Sequence, residues 1–82
     1  MSVHAFTLVC DAPDLAEHIA DALNPHVDAL SWFEDVEVPG VWRVIAYAEA
    51  DAPVSTFRDV VASVPGAAAL APAATWDKLP DT

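Results

Sequence analysis

The side chains in this sequence that could do chemistry are few and widely spaced. Cys10 is the single cysteine, and His4, His18 and His26 are the three histidines. A zinc centre needs four thiolate or imidazole ligands, usually delivered in close pairs, and no two of these residues fall at that spacing. A metal site is therefore not expected. Cys10 stands just before a helix-start signal, where a helix N-terminus lowers a thiol pKa, but Asp11 and Asp14 oppose that field, so a small buried core thiol is expected. His18 follows Asp14 by one helical turn, the spacing of an ordinary surface pair. Glu34, Asp35 and Glu37 sit close enough in sequence to act as paired acid and base. Splitting their pKa values needs an apolar pocket or a cationic partner, and with neither evident the expectation is a solvated acidic turn. Gly40 and Gly66 are the only glycines, and they form no loop that could cradle a phosphate or hold S-adenosylmethionine. Neither catalytic machinery nor a bound cofactor is expected.

Charge narrows the partners. Thirteen acidic residues face Arg43, Arg58 and Lys78, a formal net charge of −10. Such a field repels phosphate backbones and anionic headgroups, which argues against nucleic acid and membranes and favours a basic partner. The single cysteine leaves no internal disulfide, and no basic leader with a long apolar run opens the sequence, so a cytoplasmic location is expected. The chain, 82 residues long with 55% hydrophobic residues, is sized for one domain and one core. Because much of that content is alanine, the core is expected to rest on Phe6, Leu8, Leu15, Ile19, Leu23, Trp32, Trp42, Phe57, Leu70 and Trp76.

The elements follow from punctuation. Asp11-Ala12-Pro13 and Asp51-Ala52-Pro53, forty positions apart, each combine a capping carboxylate with a proline suited to a first helical turn. Pro25 and Pro65, at the same offset, stop the helices they follow. Leu15, Ile19 and Leu23 form one apolar stripe, with Glu17, His18 and Asp21 turned away, and Phe57, Val60, Val61 and Val64 form the other. Helices are thus predicted over 12–24 and 53–64. Strand-like runs flank them at 3–10, 29–36, 41–49 and 68–76. Val38-Pro39-Gly40 offers a turn that makes the middle strands an antiparallel hairpin. Right-handed crossovers then give an α+β fold, a ferredoxin-like βαββαβ sandwich: a four-stranded antiparallel sheet with the first and third strands central and two helices on one face. Pro72 fits a fourth strand lying at an edge. The folded unit is expected over residues 1–76, with 77–82 beginning a linker or tail.

Alternation assigns the two faces of the sheet. Trp42, Val44, Ala46 and Ala48 belong beneath the helices, with Phe6, Leu8, Leu30 and Trp32 beside them. The open face would carry Thr7, Val9, Phe33, Arg43, Ile45, Tyr47 and Glu49, more apolar than a solvated sheet needs. The candidate protein-binding residues are therefore Phe33, Ile45 and Tyr47, with Arg43, Glu34 and Glu49 around them. A segment of the chain lying across that face is the alternative.

Three runs, Ala-Leu-Ser-Trp-Phe-Glu at 29–34, Val-Trp-Arg-Val-Ile-Ala-Tyr at 41–47 and Trp-Asp-Lys-Leu-Pro-Asp at 76–81, carry a family likeness. The chain resembles the N-terminal domain of the methyltransferases that modify large-subunit ribosomal protein eleven, in their alphaproteobacterial forms. The resemblance implies a ferredoxin-like domain that grips the basic ribosomal substrate, while S-adenosylmethionine and methyl transfer belong to a separate domain. Its implied role is substrate recognition without catalysis. A stand-alone ACT-like regulatory or dimerisation module that binds a small ligand is the second reading, because the frame alone selects no function. A small enzyme comes third, with Arg43 and His4 as the polar participants.

Overall fold

The computed structural model describes residues 3–49 and 51–78. Along the chain run β1 (Val3–Cys10), α1 (Pro13–Leu23), a short 3-10 turn (Asn24–His26), β2 (Ala29–Glu34), β3 (Trp42–Glu49), α2 (Val54–Ser63) and β4 (Thr75–Lys78). The fold is α+β, with two helices and one four-stranded sheet in the order β2-β3-β1-β4, every neighbouring pair antiparallel. β1 and β3 are central, as the hairpin and crossover argument predicts.

Alternation along the central strands builds the core. Phe6, Leu8 and Cys10 of β1 and Val44, Ala46 and Ala48 of β3 are buried, and one hydrophobic cluster joins them to Ile19 and Leu23 of α1 and Phe57 and Val61 of α2. Phe57 sits at the centre, edge-on to Phe6 at 5.6 Å and to Trp76 at 6.1 Å between ring centroids. Alanines at 16 and 20 on α1 and at 46 and 48 on β3 are also buried, and side chains this small let helix and sheet approach closely.

Four expectations need correction. The fourth strand is Thr75–Lys78, not 68–76. Alanine, glycine and proline are poor strand formers, and the segment before β4 instead folds into successive turns, with Ala67 N–H donating to Val64 C=O at 3.0 Å, Leu70 N–H to Ala67 C=O at 2.9 Å and Ala73 N–H to Leu70 C=O at 3.1 Å. Pro72 lies among these turns and tests no strand edge. Asp77 and Lys78 pair with Ala5 and His4, so the sheet continues past Trp76, where the folded unit was expected to end. The rest of the expected tail, 79–82, lies outside the described residues. Neither Asp11 nor Asp51 caps a helix: the cap positions are Ala12 and Pro53, with no side-chain hydrogen bond at either. Each aspartate stands too early in the chain to reach the orphan amides. Finally, Trp32 shares the helix-side face with Val44, its cross-strand partner, yet remains 38% exposed. It is the outermost residue of its row, tilted against Trp42 at 5.5 Å between centroids.

Candidate functional site

The face of the sheet turned away from the core cluster is laid out by the register. Phe33 pairs with Arg43, and Arg43 with Val9; Ser31 pairs with Ile45, and Ile45 with Thr7; Ala29 pairs with Tyr47, and Tyr47 with Ala5. Residues directly opposite across antiparallel strands project to the same side. Phe33, Arg43, Ile45 and Tyr47 therefore share one surface, as alternation predicts. Phe33 and Val9 are each 43% exposed, while Ile45 and Tyr47 are half-buried by their neighbours. Glu49 marks the far end of that surface opposite Val3. Glu34 does not belong to it. Paired with Trp42, it falls on the helix side at the mouth of the hairpin, where its Oε2 accepts a 3.2 Å hydrogen bond from Gly40 N–H.

Arg43 has a partner that the sequence reading missed. Its Nη2 donates to Asp35 Oδ2 at 2.7 Å, and Glu37 N–H donates to Asp35 Oδ1 at 2.8 Å. The acidic turn is thus supplied with a cation, contrary to expectation. The Arg43 hydrogen bond foremost, then the Glu37 amide, hold the Asp35 carboxyl below the usual carboxylate range. Register was the available signal: Asp35 continues the ladder opposite Val41, with its N–H donating to Val41 C=O at 2.8 Å, and this places its side chain diagonally beside Arg43. The bond draws the guanidinium toward Asp35 at the hairpin end of this face, so the cation beside the apolar surface is already engaged within the fold.

No family model, curated protein or solved structure matches the chain. The residues themselves must therefore carry any functional reading. His4 and Arg43, the polar pair considered for a small enzyme, lie on opposite sides of the sheet: His4 aligns with Ala48 and Arg43 with Val9. Five residues of β1 separate their rows, about 17 Å. His4 instead stacks on Trp76 at 5.0 Å between ring centroids. Cys10 is buried as expected, its thiol donating to Ala12 C=O at 3.4 Å. Among the described residues no cluster of three or more histidine, cysteine or carboxylate side chains comes together, and no helix is long and apolar enough to cross a membrane.

A second feature was not foreseen. An open cleft of about 340 Å³ lies where β1 ends, lined by Val9, Cys10, Asp11, Leu15, Val41, Gly66 and Leu70. Its walls come from five separate stretches of chain, which is why local sequence patterns did not show it. Gly66, at φ +86, turns the backbone after α2 beside Leu15, in a conformation that glycine adopts without steric penalty.

Proposed function

We propose that this chain is a ferredoxin-like substrate-recognition domain of the ribosomal protein methyltransferase type, binding basic large-subunit protein eleven through its open sheet face. The observation that supports this reading is the contiguous surface formed by Phe33, Ile45 and Tyr47 on adjacent strands, on a molecule of net charge −10. Aromatic anchors supply most of the affinity of such a contact, and the surrounding carboxylates guide a basic partner toward it. The strand order, with β1 and β3 central, supports the ferredoxin-like assignment. Methyl transfer and S-adenosylmethionine belong, in this reading, to a separate domain.

The test is titration of the chain with the purified ribosomal protein at several salt concentrations. Tyr47→Ala is expected to weaken binding by roughly 2 kcal/mol at every ionic strength. Neutralising Glu49 and Asp77, which border the open face, should slow association chiefly at low salt. Absence of binding at tens of micromolar and low salt would overturn the proposal.

The cleft beside Cys10 favours the second reading, an ACT-like regulatory module that binds a small ligand, because its volume is within the range of small-molecule sites. Resonance shifts confined to Val9, Leu15, Val41 and Leu70 on screening with small metabolites would select that reading over protein recognition.

A further inference from the structure

We infer that the outer edge of β2 accepts an extended, lysine- or arginine-rich segment of a partner protein as an additional strand. The inference goes beyond the open-face reading and uses neither Ile45 nor Tyr47. β2 ends the sheet, and none of the described residues pairs with its outer side. The hydrogen bond from Asp35 N–H to Val41 C=O fixes the phase of the ladder. By alternation the backbone groups of Phe33 and Ser31 turn toward β3, and those of Leu30, Trp32 and Glu34 point away from the sheet.

The two edges of the sheet differ in how they are protected. Among the described residues β4 has Thr75–Lys78, and two of these, Asp77 and Lys78, are charged; charge is a usual defence of an exposed edge. β2 has six residues, and from Ala29 to Phe33 there is no charge, proline or glycine. Two aromatic side chains stand at this edge on opposite sides of the sheet, Trp32 38% and Phe33 43% exposed. A strand added alongside would cover both while satisfying the outward backbone groups. That is the mode in which main-chain hydrogen bonds supply affinity and alternating side chains supply specificity.

Charge selects the occupant. Asp28 precedes the apolar stretch, Glu34 and Asp35 follow it, and the nearby cation Arg43 is bonded to Asp35. Lysine or arginine near the ends of an incoming strand complements these carboxylates. A second copy of the chain does not. In the register centred on Ser31, antiparallel pairing of two β2 edges sets Asp28 of each copy opposite Glu34 of the other, and like charges directly opposed are destabilising. It also brings together two molecules that each carry −10.

The experiment is an NMR titration of the full chain with a capped peptide of about eight alternating lysine and valine residues, long enough to span β2. Two control peptides accompany it: one N-methylated at every second residue, on the side that would face the edge, and one with glutamate replacing lysine. The lysine peptide is expected to shift the amide resonances of Leu30, Trp32 and Glu34. The N-methylated peptide should bind about tenfold more weakly or worse, and the glutamate peptide should not bind. Trp32→Pro removes an outward amide without touching the β3 ladder and should weaken the lysine peptide by a similar factor, whereas Tyr47→Ala should leave it unchanged. If Trp32→Pro fails to fold, the N-methylated peptide decides the matter. Equal binding of the methylated and unmethylated peptides, shifts confined to the open face, or no binding at millimolar peptide would each overturn the inference. So would self-association in sedimentation that Trp32→Pro abolishes, which would make the occupant a second copy. Loss of ribosomal-protein binding in Tyr47→Ala with retained peptide binding separates this edge from the open-face proposal.

Discussion

Asp35 is the residue whose surroundings depart most from what its neighbours in sequence imply. Glu34 and Glu37 beside it suggest repulsion, yet the fold supplies the Arg43 guanidinium at 2.7 Å and the Glu37 amide at 2.8 Å. Both stabilise the ionised form, so the carboxyl is more acidic folded than unfolded. Its contribution to stability is then fully present above the unfolded-state value of about 3.9, and it is lost as pH falls through the lower folded-state value. Asp35→Asn is accordingly expected to lower the thermal midpoint at pH 7, and the gap from wild type should narrow in strongly acidic buffer. Melting curves of both proteins across the acid range check this; a gap that stays constant with pH would mean that the carboxylate's charge has no part in it. The side chains of the open face were legible because strand alternation is a local property: Phe33, Ile45 and Tyr47 follow from counting. The Asp35–Arg43 bond depends on which residues of two strands come into register, a property of the loop between them. That loop has its own anchor in Gly40, whose φ of +90 is open to glycine and strained for other residues.

At the scale of elements, the helices and the three longer strands were visible because apolar periodicity and proline punctuation agree on them. The stretch from Ala67 to Ala74 was not, because a run of alanines interrupted by Pro72 shows neither the helix nor the strand period, and what organises it is a distant side chain. Arg58 on α2 donates from Nη1 to Ala71 C=O at 2.6 Å and Ala74 C=O at 3.0 Å, and its guanidinium carbon lies 5.6 Å from the Phe6 ring centroid. One cation thus ties the turn segment to the core and sets the point at which the chain enters β4. Hydrogen bonds from a charged donor are worth about 2 kcal/mol, and without Arg58 the Ala71 C=O would keep only the 3.3 Å bond from Ala74 N–H. Arg58→Ala should lower stability by roughly that amount and should speed amide exchange at Leu70, Ala73 and Ala74 more than in α1. Arg58→Lys should restore only part of the loss, since an ammonium cannot reproduce the planar donor geometry. Uniform exchange across the whole chain in Arg58→Ala would show instead that the residue supports the fold generally. The cleft beside Cys10 escaped the sequence for the same reason as this segment, since Gly66 and Leu70 reach it only after the turns are formed.

For the whole molecule the dominant electrostatic quantity is the excess of acidic over basic side chains, thirteen against three. The molecule measures 34 × 28 × 19 Å. At about 0.01 M salt the screening length is roughly 30 Å, so nearly every carboxylate senses every other; at about 0.15 M it is roughly 8 Å and most of that repulsion is gone. Working against this is the attraction of Asp35 for Arg43, the ion pair found among the described residues, which salt also weakens. At 2.7 Å that pair is far shorter than either screening length and is therefore less sensitive to salt than the diffuse repulsion. Added salt should consequently stabilise the fold. The thermal midpoint at pH 7 is expected to rise between about 0.01 and 0.15 M sodium chloride and then to level off, because little repulsion remains to be screened. Replacing Glu17 and Asp21, two exposed carboxylates on α1, by glutamine and asparagine should raise the midpoint at low salt and reduce the size of the salt effect. A midpoint that falls with salt would mean that local pairing outweighs the net charge, and the acidic surface would then have to be understood as a set of specific contacts.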